Sequence, residues 1–169
     1  RYFMYDYVLQ YGFDTESKYY IQSIKDYLKN NRIIDRERNW LPHITIDLYN
    51  CKNEKEFIDK LDVIVEKISA FNIEFKNLNT CNNETLYIEP YNKEILMELK
   101  QYFNTELNNY MLEKRRERKY IPHATLCTSD TLDKSIQLAN QKFNPFISTI
   151  KYIWVYNRDM QLIKEYNLK

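Results

Sequence analysis

The chain contains a single glycine, Gly12, among 169 residues. Glycine supplies the positive-φ turns and close backbone approach on which phosphate-cradling loops depend. Neither a Walker loop nor the glycine fingerprint of the dinucleotide-binding folds can therefore be built here. Hydrophobic residues make up 44% and charged residues 29%, a globular balance in a chain long enough to bury a core. No apolar run approaches the roughly 18 residues a membrane helix requires. Residues Arg1 to Asp6 place charge within an apolar stretch and offer no small-residue cleavage site, so no signal peptide is expected.

Periodicity gives a repeated order of elements. Tyr2 to Gln10 is predicted as a strand, Ser17 to Asn31 as a helix capped at Asp14 or Thr15, Trp40 to Tyr49 as a strand and Glu54 to Ala70 as a helix. Phe71 to Asn79 and Thr85 to Glu89 read as a hairpin around Cys81, Asn82 and Asn83. The order then recurs, with a helix over Asn92 to Met111, a strand over Tyr120 to Thr128 and a helix over Thr131 to Gln141. Strands Phe146 to Tyr156 and Gln161 to Asn167 follow, turning at Asn157, Arg158 and Asp159. No Pro/Gly/Ser-rich linker separates the halves. We expect one domain over 1–169, with pseudo-repeats of about 1–90 and 91–169 packed around a shared cleft.

The strongest local signal lies on one equivalent strand in each half. Leu41-Pro42-His43-Ile44-Thr45-Ile46 and Ile121-Pro122-His123-Ala124-Thr125-Leu126 both read apolar-Pro-His-x-Thr-apolar, and they use both histidines of the chain. Chance places Pro before and Thr two after a given histidine on the order of one time in a thousand. On a strand, residues two apart share a face, so His43 projects with Thr45, and His123 with Thr125. Proline, lacking a donor, suits a strand start or edge. An imidazole titrates near neutral pH, so of two converging on one cleft one can act as base and the other as acid. Threonine hydroxyls beside them can donate to oxygens on which charge develops.

This pair of motifs, 80 residues apart, resembles the 2H phosphoesterase superfamily, and within it the bacterial and archaeal 2'-5' RNA ligase and cyclic phosphodiesterase branch. The resemblance implies an α+β, bilobal fold of two antiparallel sheets around a central cleft flanked by helices. It implies catalysis by His43, Thr45, His123 and Thr125 without metal, nucleoside triphosphate or other cofactor. The reactions implied are opening of 2',3'-cyclic phosphates, cleavage of 2'-5' linkages, or 2'-5' joining of RNA ends. For hydrolysis, His123 is assigned as base toward water and His43 as acid toward the leaving oxygen. The alternatives are a 2'-5' RNA ligase and a module that binds a nucleotide or RNA end without turnover.

Weaker signals surround the motifs. Glu113 to Tyr120 holds five basic residues, a solvated loop or a phosphate clamp at the cleft rim formed by Arg115, Arg116, Arg118 and Lys119. Tyr5, Tyr7 and Tyr120 are candidates to stack on a base. A metal site is disfavoured, since two histidines are too few ligands and Asp47, on the His43 face, corresponds to Cys127 in the second motif. The net charge of +1 argues against gripping bulk duplex nucleic acid. The expected partner is a nucleotide or an RNA-end phosphodiester, with no membrane. Three cysteines, Cys51, Cys81 and Cys127, show no paired spacing and read as reduced thiols of a cytoplasmic protein, expected as a monomer.

Overall fold

The computed structural model describes residues 4–169. Among them, seven strands and four α-helices follow in the order β1 (Tyr7–Phe13), α1 (Thr15–Asn30), β2 (His43–Tyr49), α2 (Glu54–Val65), β3 (Phe71–Cys81), β4 (Thr85–Pro90), α3 (Glu94–Glu106), β5 (Ala124–Thr128), α4 (Leu132–Lys142), β6 (Phe146–Asn157) and β7 (Leu162–Asn167). Two single turns of 3₁₀ helix, Asn108–Tyr110 and Glu113–Arg115, lie between α3 and β5. Of the first predicted strand, Tyr2 and Phe3 lie outside the described residues, and the observed strand begins at Tyr7 and runs on through Gly12 to Phe13. The second predicted helix is shorter, ending at Val65, and the strand of the second histidine motif starts only at Ala124.

Local chemistry explains the boundaries. Asp14 accepts the Ser17 amide at 2.8 Å and caps α1. Asn53 does the same for Glu56 at the head of α2. The β3–β4 turn sets Asn82 and Asn83 at φ 55° and 57°, a conformation asparagine tolerates better than most residues.

All strand pairing is antiparallel and forms one hydrogen-bonded network in the order β2-β1-β6-β3-β4-β5, with β7 also on β6. β6 is 12 residues long. Along one edge, Phe146 to Ile150 pair with β3 and Tyr152 to Tyr156 pair with β7; the other edge carries β1. The expected two sheets are thus two wings sharing one strand. One wing is β2-β1-β6-β7 and the other is β6-β3-β4-β5. The sequence halves interleave across them, because the β3–β4 hairpin of the first half joins β5, and the β6–β7 hairpin of the second joins β1 and β2.

Each wing takes a helix from each half. Phe57 of α2 stacks on Tyr7 at 4.7 Å and meets Tyr49, while Lys100 of α3 reaches β2. α1 and α4 pack together over the other wing, with the Tyr27 hydroxyl donating to Gln141 at 2.6 Å. β1 is buried on both faces. Tyr7, Leu9, Tyr11 and Phe13 face the main core. Val8 belongs to a second cluster with Trp154 and Tyr156, which Trp40, Leu48 and Tyr152 flank.

Gly12 lies beneath the Trp154 ring, where a Cβ would sit 2.7 Å from Cη2 and Cζ2. Trp154 is itself packed in place and donates to Glu165 at 2.9 Å. The sole glycine therefore serves close packing between strands and not a turn. Gly12→Ala is expected to destabilise the fold by about 1–3 kcal/mol, the usual scale of overpacking. Chemical denaturation checks this, and Trp154→Phe in the same background should recover part of the loss.

Candidate active site

The two motifs adopt the same local form. From Leu41 to Asp47 and from Ile121 to Cys127, the residues follow one burial order: exposed, buried, half-buried, buried, half-buried, buried, buried. Each motif also ends in the same irregularity. On β2, Thr45 pairs with Gln10 and Asp47 with Leu9, leaving Ile46 as an extra residue. On β5, Thr125 pairs with Tyr87 and Cys127 with Leu86, leaving Leu126. Such bulges bend and re-aim a strand. The strict alternation that placed Asp47 on the His43 face is therefore broken, and Asp47 aligns with the core-facing Leu9.

Proline drives the preceding residue extended, and in both motifs that residue's carbonyl meets the histidine. His43 Nδ1 lies 2.8 Å from the Leu41 oxygen, and His123 Nδ1 lies 2.6 Å from the Ile121 oxygen. A carbonyl only accepts, so each Nδ1 carries the hydrogen and each neutral ring keeps an unprotonated Nε2. The Thr45 hydroxyl lies 3.2 Å from His43 Nε2. Aromatic rings flank both imidazoles, Trp40 at 6.0 Å from His43 and Tyr87 at 5.1 Å from His123.

β2 and β5 stand at opposite ends of the strand order, yet they approach to within 8 Å between Cα atoms. The Tyr120 hydroxyl ties them, donating to the Thr45 carbonyl at 2.7 Å. Thr45 and His123 share the wall of a pocket of about 180 Å³ whose lining does not include His43 or Thr125. Beside it opens a cleft of about 1030 Å³ walled by Tyr5, Arg38, Leu48, Thr85 and Thr128, among others. Arg118 borders both.

The electrostatics separate the two histidines. Burial pushes the His43 imidazole from 6.5 down to about 4; its bond to Leu41 opposes this, and the charges of Lys25 and His123 reinforce it. Burial also lowers His123, with Arg118 adding to the shift, but the Ile121 carbonyl and the Glu37 carboxylate pull it back. Of the pair, His123 is the one with a carboxylate to favour its charged form.

The outlying candidates fall in different places. Tyr7 is not a stacking surface, for it is buried against Phe57 on the core face of β1. Tyr5 precedes β1 in the wall of the larger cleft, its hydroxyl accepting from Arg38 at 3.3 Å. Arg115 is not at the rim: its Nε donates to Asp47 at 2.5 Å, and its side chain is only 15% exposed. Arg116 lines neither cavity and bonds Asn108 and Glu113. Arg118 and Lys119 border the small pocket as Arg115 does, but unlike it they are exposed. Tyr120 borders it too, but its hydroxyl is engaged by Thr45 and its ring lies 5.5 Å from Lys100 Nζ, so it braces the site. Sequence reasoning did not single out Lys100, Trp40, Tyr87 or Glu37. Trp40 and Tyr120, each three residues before its histidine, form a local signal that could have been read.

Among the described residues, no group of three or more His, Cys, Asp or Glu side chains is placed to hold a metal ion. No helix among them is long and apolar enough to cross a membrane.

Comparison with known proteins places this geometry. TT0787 of Thermus thermophilus superposes with a TM-score of 0.66 at 10% identity, covering 96% of this chain and 97% of that one. LigT of E. coli, solved with 3'-AMP, gives a TM-score of 0.66 at 10% identity over 98% of both chains. LigT solved with ATP gives 0.62 at 11% identity over 98% of both. At such identities the likeness establishes the α+β fold alone. No curated protein matches the sequence. The sequence profile of the 2'-5' RNA ligase superfamily, in contrast, matches residues 13–161, spanning both histidine motifs. The chain belongs to the 2'-5' RNA ligase superfamily, and so to the 2H phosphoesterases.

Proposed function

We propose that this protein is a metal-independent phosphodiesterase that opens a 2',3'-cyclic phosphate on a nucleotide or RNA end. The observation that carries the reading is the matched pair of imidazoles. Each is oriented by an Nδ1–H bond to the carbonyl two residues back, and each is thereby left with Nε2 for proton transfer. Two such groups on approaching strands fit in-line displacement at phosphorus. The nucleotide complexes of LigT with 3'-AMP and ATP are in keeping with a substrate of that class.

The proton assignment is the reverse of the sequence-based expectation. His43, the more strongly lowered, starts neutral; its Nε2 takes a proton from water as the oxygen bonds phosphorus. His123, with Glu37 favouring its charged form, gives its proton to the departing ribose oxygen. The P–O3' bond breaks as the new P–O bond forms, leaving a 2'-phosphate and a 3'-hydroxyl. Thr45 and Thr125 donate to the non-bridging oxygens, and the negative phosphodiester raises both imidazoles on binding.

Incubation with nucleoside 2',3'-cyclic phosphates and short 2'-5' and 3'-5' oligonucleotides tests this. Turnover should be unaffected by EDTA, and His43→Ala and His123→Ala should each lower kcat/KM by roughly 10²- to 10⁴-fold. Activity surviving both substitutions contradicts the mechanism, and loss with EDTA contradicts its independence of metal. Joining of ends in place of cleavage assigns the ligase direction. Binding without turnover of any substrate leaves only the recognition module.

The pH profile tests the proton assignment separately. kcat/KM reports the free protein, so its acid limb should follow His43 near pH 4 and its alkaline limb His123 below pH 6.5. A bell with its maximum between these values is expected. A maximum above pH 7 contradicts the assignment.

A further inference from the structure

The small pocket between Thr45 and His123 is lined by four basic side chains, Lys100, Arg115, Arg118 and Lys119, and by one carboxylate, Asp47. The whole chain carries 25 basic and 24 acidic residues, so this concentration is local and not a general property of the surface. The two deepest cations are held in place. Asp47, 2% exposed, accepts Lys100 Nζ at 2.6 Å and Arg115 Nε at 2.5 Å, and Asn104 accepts Lys100 at 2.6 Å. Fixing a lysine and an arginine beforehand removes much of the side-chain entropy they would lose on meeting an anion. Arg118 and Lys119 are exposed at the mouth, and Arg118 also borders the larger cleft.

The phosphorus under attack belongs beside Thr45 and His123, and both also wall this pocket together with the four basic side chains. A phosphate held by those two leaves the cations to meet a second one. The pocket's volume of about 180 Å³ suits a phosphate group with its water and not a nucleoside, for which the cleft of about 1030 Å³ has room.

We propose that the pocket bounded by Lys100, Arg115, Arg118 and Lys119 binds a second phosphate that flanks the reacting one. A ligand with phosphates on both the 2' and the 5' side of one ribose is then preferred over one with a single phosphate. This rests on the phosphodiesterase reading for the identity of the reacting group, but its test does not require turnover.

Isothermal titration of the full chain with a nucleoside 2'-monophosphate and the matching 2',5'-bisphosphate, at one ionic strength, measures the contribution of the second phosphate directly. The bisphosphate is expected to bind about tenfold more tightly, equivalent to ~1.4 kcal/mol, and the advantage should shrink at higher salt. In Arg118→Ala/Lys119→Ala, which alters two exposed side chains, the two ligands should bind within about twofold of each other. Equal affinities in the unaltered protein overturn the inference, as does a tenfold preference that persists in the double variant. A failed phosphodiesterase reading looks different, with the bisphosphate preference intact and no cyclic ester turned over.

Discussion

β6 is twelve residues long, and no single strand accompanies it along the edge it shares with β3. β3 pairs with its first five residues, β7 takes over from Tyr152, and the Ala70 amide meets the Lys169 carbonyl at 2.9 Å where the two partners abut. That change of partner splits one hydrogen-bonded network into two wings. Strands β2 and β5, the last in the pairing order, become the inner lips of the cleft because the wings fold toward each other. Had one partner run the full length of β6, β2 and β5 would lie at the two ends of a continuous sheet and the histidines would be far apart.

Within that frame, the candidate site depends on short-range geometry repeated twice. A proline forces the residue before it extended, that residue's carbonyl takes the Nδ1 hydrogen, and the ring is oriented with Nε2 outward. A bulge after each threonine then breaks the alternation, so that the side chain two positions on lines up with a buried leucine of the neighbouring strand. In the first motif that side chain is Asp47, which gathers Lys100 and Arg115; in the second it is Cys127, whose thiol is raised by burial and which has no cations drawn in around it as a pair. The halves are alike in backbone and unlike in charge. Asp47 gathers a basic pocket on its side, while the two imidazoles are set apart by Lys25, which disfavours the charged form of His43, and by Glu37, which favours that of His123.

The legible parts were those written in neighbouring residues. Helical stripes, the asparagine turn, the Asp14 cap and the doubled motif depend on separations of a few positions, and the structure reproduces them with shifted ends. Where expectation and structure part, a distant contact decides. Tyr7 shows the same aromatic, half-polar character as Tyr5, but α2 delivers Phe57 onto it and takes it into the core. Gly12 lies beyond the expected first strand, which stops at Gln10, yet β1 runs through it to Phe13 and the ring of Trp154, 142 positions away, packs against it. Arg115 and Arg116 are adjacent in sequence, yet one turns to Asp47 and the other to Asn108.

The sequence alone determined the doubled unit: the extended residue, proline, histidine and threonine require only local sterics and the two-residue period of a strand. It also excluded a glycine-built phosphate cradle. Tertiary structure alone decided that the halves exchange hairpins, that Lys100 of α3 reaches β2, and that the two histidines differ in proton affinity. Those outcomes depend on burial and on partners distant in sequence, such as Lys100 for Asp47 at a separation of 53 and Glu37 for His123. Neither burial nor such a distance has a signature in neighbouring residues.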